Sequence, residues 1–410
     1  MKRIFKTFTI LLMLVTILMN FTGCYDAKGI EELAYVVAIG LDISENDELE
    51  LTFQFASSGL KGSSKGESAG ASSQSKETTN TTVKCSSINS GISLINNHIS
   101  KKANLSHCQV ILISEKLAYN GISKYLDTFL DNIELRSNCN MIITKCRAKD
   151  YIANVNPALE SLTARYYESS LSASNYTSYI VYVTLSEFYS RMKDTYSQAY
   201  ALLGDVTPSN TNNSSVKINA NYIAGENPIE DTDLIDNLGI AVFHGDKFVG
   251  ELTGLDTICH SIVNNDLKEC RLSIPSPFKS GNYLDLLLTS EKSPKISVSL
   301  INSSPLINVE TSLVAYGLSL DENTSYSSEE ALSLIQKYAE KYISDKISTY
   351  LYKTAKEYNS DICGFGKYAV TNYVTLNEWY DSNWLEKYKN SFFNVNVNVI
   401  VKSGNTFTKS

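Results

Sequence analysis

The chain has 410 residues, 43% of them hydrophobic and 20% charged, with 36 Lys and Arg against 44 Asp and Glu. That length exceeds one comfortable hydrophobic core and suits two or three domains. A net charge of −8 argues against a broad electrostatic grip on nucleic acid.

Residues 1–23 depart from this globular average. Lys2, Arg3 and Lys6 make a basic start, Thr7 to Met19 carries no charge, and Thr22 and Gly23 precede Cys24. The order is that of a secretory signal, and its apolar core is short for a membrane-spanning helix. Phe21-Thr22-Gly23-Cys24 resembles the lipobox of bacterial lipoproteins, whose cysteine receives a diacylglycerol before cleavage; Phe21 stands where Leu is usual. The resemblance implies Cys24 as the lipidation site and membrane anchor. Two acyl chains, at ~0.8 kcal/mol per buried CH₂, hold a protein on a bilayer far better than one. Cleavage before Cys24 removes three cations, leaving 33 Lys and Arg against 44 acids, a net charge of about −11.

Leu33 to Leu41 is apolar on both faces, as a central strand would be. Leu49, Leu51, Phe53 and Phe55 alternate with polar residues, which predicts a half-buried strand. Ser57 to Thr82 is rich in Ser and Gly and reads as a disordered loop inside a domain. Ile88, Ile92, Ile95 and Ile99 mark a helix face, Cys108 to Ser114 a buried strand, Ile122 to Ile133 an amphipathic helix, and Asn140 to Thr144 a further strand. Strand, helix, strand in that order predicts a parallel crossover. Thr184 and Glu187 have capping-box spacing ahead of a helix through Phe188 and Met192.

Pro208 to Ser215 is a polar break. After it, Gly239 to Leu252 reads as a hairpin turning at His244-Gly245-Asp246-Lys247, followed by a helix from Leu252 to Val263. Residues around Ile296 to Leu300, Ile307 to Leu313 and Phe393 to Val401 alternate as strands with one wet face. Between them a long helix spans 328–358, opened by Ser327 and Glu330, with Leu332, Ile335, Ala339, Tyr342, Lys346, Tyr350 and Ala355 on its apolar face. The expected fold is mixed, α/β and α+β: three small domains of mixed sheets with packed helices, after a cleaved lipoprotein signal peptide. The expected units are a leader, 1–23; an N-terminal α/β domain, 24–207, with a disordered loop at 57–82; a middle domain with hairpin and helix, 216–284; and a C-terminal α+β domain, 285–410.

Chemistry is sparse. The G-x-S-x-G match, Gly62 to Gly66, lies in the Ser- and Gly-rich loop without a strand-turn-helix context. No P-loop, G-x-G-x-x-G or H-E-x-x-H occurs. His107-Cys108 and Cys259-His260 are sequence neighbours, a poor arrangement for sharing a metal, and His98 and His244 stand apart. Beyond Cys24 an odd set of seven cysteines remains, without C-x-x-C; pairing of Cys139 with Cys146, or Cys259 with Cys270, stays open. The expectation is no catalytic residue, no cofactor and no metal.

Several stretches, in order, resemble the C subunit of bacterial spore germination receptors, the Ger(x)C lipoproteins. Cys24, Asp26, Ile30, Leu33, Gly40 and Asp42 fit the mature N-terminal pattern, with Tyr25 where Trp is usual and Gly29 where Glu is usual. Val110 to Arg136, the hairpin Gly239 to Leu252, and the stretch from Asp361 through Trp384 to Gly404 are similar to the family's later motifs. The resemblance implies three mixed α/β domains and a noncatalytic subunit of a nutrient receptor. It also implies anchoring at the outer face of the spore inner membrane, beside membrane-embedded A-type and B-type subunits. About eight residues separate Cys24 from the strand at Leu33, a leash of at most roughly 30 Å at ~3.5 Å per residue. A lipid-anchored solute-binding protein of a transporter is the alternative; it predicts a two-lobed cleft with direct nutrient binding.

Overall fold

The computed structural model describes residues 2–19, 29–56, 78–157, 159–160, 162–207, 217–229, 234–317 and 329–402. Cys24, the segment 57–77, the polar break at 208–215 and Ser327 of the expected capping box lie outside them. Helix α1, Lys2–Met19, carries the N-terminal apolar run, and no described helix is long and apolar enough to cross a membrane.

The first sheet grows from β1, Leu33–Ile43, whose residues Val36 to Asp42 are buried. A turn in which Ser44 Oγ accepts from the Asn46 and Glu48 amides returns the chain as β2, Leu49–Ala56. Next come β3, Thr78–Cys85; α2, Ile88–His98; β4, Lys102–Asn104; and β5, Val110–Ser114. Ser87 and Ser90 exchange side-chain-to-backbone bonds at the start of α2, satisfying two donors that the helix leaves open. After β5 follow α3, Glu115–Tyr119, and α4, Ser123–Leu130, then β6, Asn140–Thr144. β5 and β6 pair in parallel, as the predicted crossover requires. Then come α5, Ala148–Asn154; α6, Thr163–Leu171; α7, Leu185–Lys193; β7, Tyr200–Val206; β8, Ile235–His244; and β9, Lys247–Leu252. The strand order is β3-β2-β1-β5-β6-β7-β8-β9, with β4 beside the start of β1.

Two expectations about this sheet change. β2 is buried on both faces: Glu50, Thr52 and Gln54 are no more exposed than their apolar neighbours. Helices on the second face account for this. Tyr167 Oη of α6 donates to Gln54 Oε1 at 2.9 Å, and Gln54 Nε2 donates to Ile152 O of α5 at 3.4 Å. Polar residues tolerate such burial when each finds a partner. The end of the stretch expected as a disordered loop at 57–82 is also ordered: Thr78 to Thr82 belong to β3, paired residue for residue with β2. Threonine is apolar-poor but β-branched, and an existing strand edge supplies the hydrogen bonds.

The hairpin at 239–252 extends this same sheet, because β8 pairs with β7. After α8, Gly254–Val263, the chain enters a second sheet through β10, Cys270–Pro275. The stretch expected as a middle unit therefore contributes to both sheets. β11, Tyr283–Ile301, and β12, Ser304–Gly317, form a long antiparallel pair. α9, Glu329–Tyr352, then α10, Gly366–Ala369, α11, Leu376–Ser382, and α12, Trp384–Lys387, precede β13, Phe392–Lys402, which runs parallel to β12. The long helix ends as α-helix at Tyr352 and continues as a π turn, Lys353–Glu357. Its buried face is Ile335, Ala339, Ile343, Ile347, Tyr350 and Leu351; Ile343 and Ile347 replace the expected Tyr342 and Lys346 at its centre.

Side chains occupy backbone groups of both outer strands of the second sheet. Ser344 Oγ donates to Val395 O at 2.9 Å, and Glu340 Oε1 accepts from Val399 N at 3.1 Å on β13. On β10, the Asn219 amide both accepts from Ser273 N at 2.6 Å and donates to Ser273 O at 2.8 Å, as a neighbouring strand would. Such capping closes edges that would otherwise recruit a further strand.

Candidate functional site

The residues singled out in the sequence are spread over more than three hundred positions, and those the structure describes fall at three joining points: the end of β1, the β8–β9 turn and the segment 359–366, the last two in direct contact. Asp42 stands at the end of β1, buried, and accepts from the amides of Ala148 at 2.8 Å and Lys149 at 3.0 Å. It caps α5 across the sheet. Burial raises its carboxyl above the ordinary range, and the two amide bonds pull it back down. Two residues earlier, a Cβ on Gly40 would lie 2.9 Å from Ile152 Cδ1 and 3.1 Å from Ala148 Cβ, so glycine lets α5 press onto the strand. Asp42→Ala removes the cap but leaves the packing. An expected loss of about 1–2 kcal/mol follows, readable as a lower urea midpoint with unchanged slope.

The hairpin turn between β8 and β9 is the second point of contact. Gly245 N donates to Gln198 Oε1 at 2.7 Å. Asp246 accepts at its carbonyl from Ile122 N at 3.1 Å and at Oδ2 from Ser123 N at 3.3 Å, which ties the turn to the start of α4. His244 Nδ1 lies 2.8 Å from Asn359 O, and its Nε2 lies 3.1 Å from Glu386 Oε1. The ring thus bridges the turn to the 359–366 segment and to α12.

Residues 359–366 form the third. Ser360 Oγ donates to Phe243 O at 2.6 Å, Gln198 N donates to Asp361 O at 2.9 Å, and Arg191 Nη1 donates to Ile362 O at 3.1 Å. The Asp361 carboxylate, fully buried, accepts from Phe365 N and Gly366 N at 3.0 Å each and from Trp384 Nε1 at 2.8 Å. Burial pushes its carboxyl up to about 6, while these donors act in the opposite direction. Trp384 in turn stacks at 6.1 Å on Trp379, and Trp379 stacks on Tyr196 at 5.1 Å. Asp361 and Trp384 were legible as a resemblance; Gln198, Arg191, Asn359 and Glu386 were not, because a single polar residue carries no periodicity of its own.

One buried trio has the residue types of a catalytic site. His260 of α8 lies with Nδ1 2.7 Å from Tyr350 Oη, and Tyr350 Oη lies 3.1 Å from Cys363 Sγ. The Asn264 amide nitrogen, 2.8 Å from Nε2, donates there, so the Nδ1 proton faces Tyr350. Burial pushes the imidazole down to about 3 and the Cys363 thiol upward. A neutral imidazole without a spare acceptor and an un-ionised thiol supply neither base nor nucleophile. The trio links α8, α9 and the 361–364 loop. All seven cysteines among the described residues are free thiols, so neither open pairing forms. No group of three or more His, Cys, Asp or Glu is placed to hold a metal among the described residues.

Fold and seam together define a two-sheet mixed α/β protein whose motif residues cap, pack and join elements instead of converging on a reactive cluster. The family description "Spore germination protein N-terminal domain" matches residues 26–204, and "Spore germination B3/ GerAC like, C-terminal" matches residues 238–404. The chain belongs to this spore germination family. It is 22% identical to YfkR of Bacillus subtilis (strain 168), a chain whose name assigns it provisionally to spore germination, over 100% of this chain and 99% of that one. It is 21% identical to spore germination protein KC of the same organism, over 93% of this chain and 92% of the relative. A crystal structure of the GerBC protein aligns over 88% of this chain and 96% of its own, with 16% identity and a TM-score of 0.48.

Proposed function

We propose that this chain is a lipid-anchored, noncatalytic subunit of a nutrient germinant receptor. A diacylglycerol on Cys24 holds it at the outer face of the spore inner membrane, where it docks on membrane-embedded subunits of A and B type and is required for the germination response. The observation that carries this reading is the family match across both parts of the chain, in order, downstream of a lipobox-like junction. A motif seam that joins two sheets also suits a protein whose task is to present a rigid surface.

The test is purification of the tagged full chain from detergent-solubilised spore membranes. Both integral membrane subunits are expected to co-purify with it. The Cys24→Ala chain is expected to shift from the membrane fraction to the soluble fraction, with a weakened nutrient response. Recovery of the chain without integral partners overturns the receptor reading. Full membrane retention of Cys24→Ala with an unchanged response overturns the anchor.

A further inference from the structure

The position of the anchor relative to the first sheet selects one end of that sheet. β1, β4, β5 and β6 run parallel, so the loops that enter them lie at one end together with residues 29–32. Two observations confirm the grouping. Glu31, Glu32, Asn96, Ile99, Ser100, Lys101 and Lys102 line one shallow groove there. Lys102 Nζ meets Glu134 Oε1 at 2.6 Å, which brings in the loop before β6.

The loop after α5 joins the same end. α5 starts at Asp42, at the far end of β1, passes Gly40 and reaches Gln54 through Ile152 O. Gln54 pairs with Ala38, midway along β1, so α5 runs from the far end towards the near one and the chain leaves it heading in that direction. α6 packs at the same level, because Tyr167 Oη donates to the same Gln54.

Three aliphatic side chains stand in solvent there: Ile133 is 101% exposed, Leu159 99% and Leu162 59%. Around them Lys101, Lys102, Arg136 and Arg165 stand with Glu31, Glu32, Asp131, Glu134 and Glu160, one acid in excess, in a chain whose net charge is −8. This is a face that an anionic bilayer repels less than it repels the rest of the protein. The tether is short. Five residues lead from Cys24 to Gly29, a reach of at most about 18 Å at ~3.5 Å per residue.

The geometry points to this end of the sheet as a bilayer-contacting face, with Ile133, Leu159 and Leu162 entering the headgroup region and Lys101 and Arg136 extending to lipid phosphates. The inference deepens the proposed function and rests on lipidation of Cys24. Apolar side chains with neighbouring cations are the composition that settles at a lipid interface. The consequence is a fixed orientation: β1 stands on the membrane, and the Ser44–Glu48 turn points away from it.

The test uses the full chain, lipidated in cells, purified and placed on vesicles of phosphatidylcholine and phosphatidylglycerol carrying acyl-brominated lipid. Tryptophan enters at Ile133 (Ile133→Trp) or, as the far-end control, at exposed Asn46 (Asn46→Trp). Trp379 and Trp384, both buried, give the same background in either variant. Ile133→Trp is expected to be quenched and blue-shifted, and Asn46→Trp to be unaffected. Equal quenching at both positions, or none at Ile133 while the chain sediments with the vesicles, overturns the orientation and leaves the anchor standing. A chain that stays in the supernatant overturns both.

Discussion

Asp361→Asn is expected to destabilise the protein by about 3–5 kcal/mol, among the largest losses available from a single isosteric change. The carboxylate receives Phe365 N on one oxygen and Gly366 N with Trp384 Nε1 on the other. An amide has one accepting oxygen, so at least one backbone donor or the indole N–H then faces an NH₂ group in a site closed to water. Each buried donor left unpaired costs roughly 1–3 kcal/mol. Near-ultraviolet circular dichroism during thermal unfolding reads the loss directly, because Trp384 sits in the affected site. An unchanged midpoint would show that the hub carries no stability.

The same site has a pH signature with a definite sign. The folded Asp361 carboxyl is raised from 3.8 to about 6, so between those values the folded state holds more proton than the unfolded state. Its contribution therefore favours folding at acid pH and fades as pH rises through about 6. His260 acts oppositely: its ring is pushed from 6.5 down to about 3, so stability is lost as pH falls below 6.5. The raw curve mixes the two. The difference between wild type and Asp361→Asn isolates the carboxyl, and it should widen towards pH 4.

Gly239→Ala is expected to cost about 2–4 kcal/mol. Gly239 has φ +91°, in the region that L side chains rarely adopt, and its added Cβ would collide with the Leu252 carbonyl oxygen, a backbone atom that cannot swing away. The strand bulges at this point: the register of β8 on β7 shifts between Leu202 and Gly204, while Gly239 N donates to Tyr179 O and Ala224 N donates to Leu238 O. Gly245→Ala is the control. Its φ is +61° but nothing lies near the new Cβ, so only the backbone term of roughly 1–2 kcal/mol remains. Equal urea midpoints for the two variants would discard the collision as the cause.

Much of the fold was legible because its elements announce themselves locally. β1, β5 and β6 are apolar runs bounded by polar turns, and the alternation in β12 and β13 names their buried faces. Thr184 opens α7 by accepting from Glu187 N, although the reciprocal half of the expected box is absent from the cap. Where a residue pattern has two readings, neighbours decided. Gln54 alternates like a wet residue and is buried because α5 and α6 arrive from about a hundred positions downstream. Thr78 to Thr82 carry too little apolar area to predict order and become a strand because β2 offers its edge.

The candidate site divides in the same way. Gly40, Asp42, Gly245, Asp246, Asp361 and Trp384 were visible as a resemblance, without any indication of what they touch. Their roles as cap, close approach, turn and hub emerge only when the strands are paired.

By itself the sequence determined the mixed α/β class and the places of most strands and helices, since periodicity and composition are properties of a few consecutive residues. The tertiary structure alone decided which strands share a sheet, that the hairpin belongs to the first of them, and that Asp361 lies at a seam. Those outcomes depend on contacts between residues far apart in the chain, whose geometry no local pattern encodes.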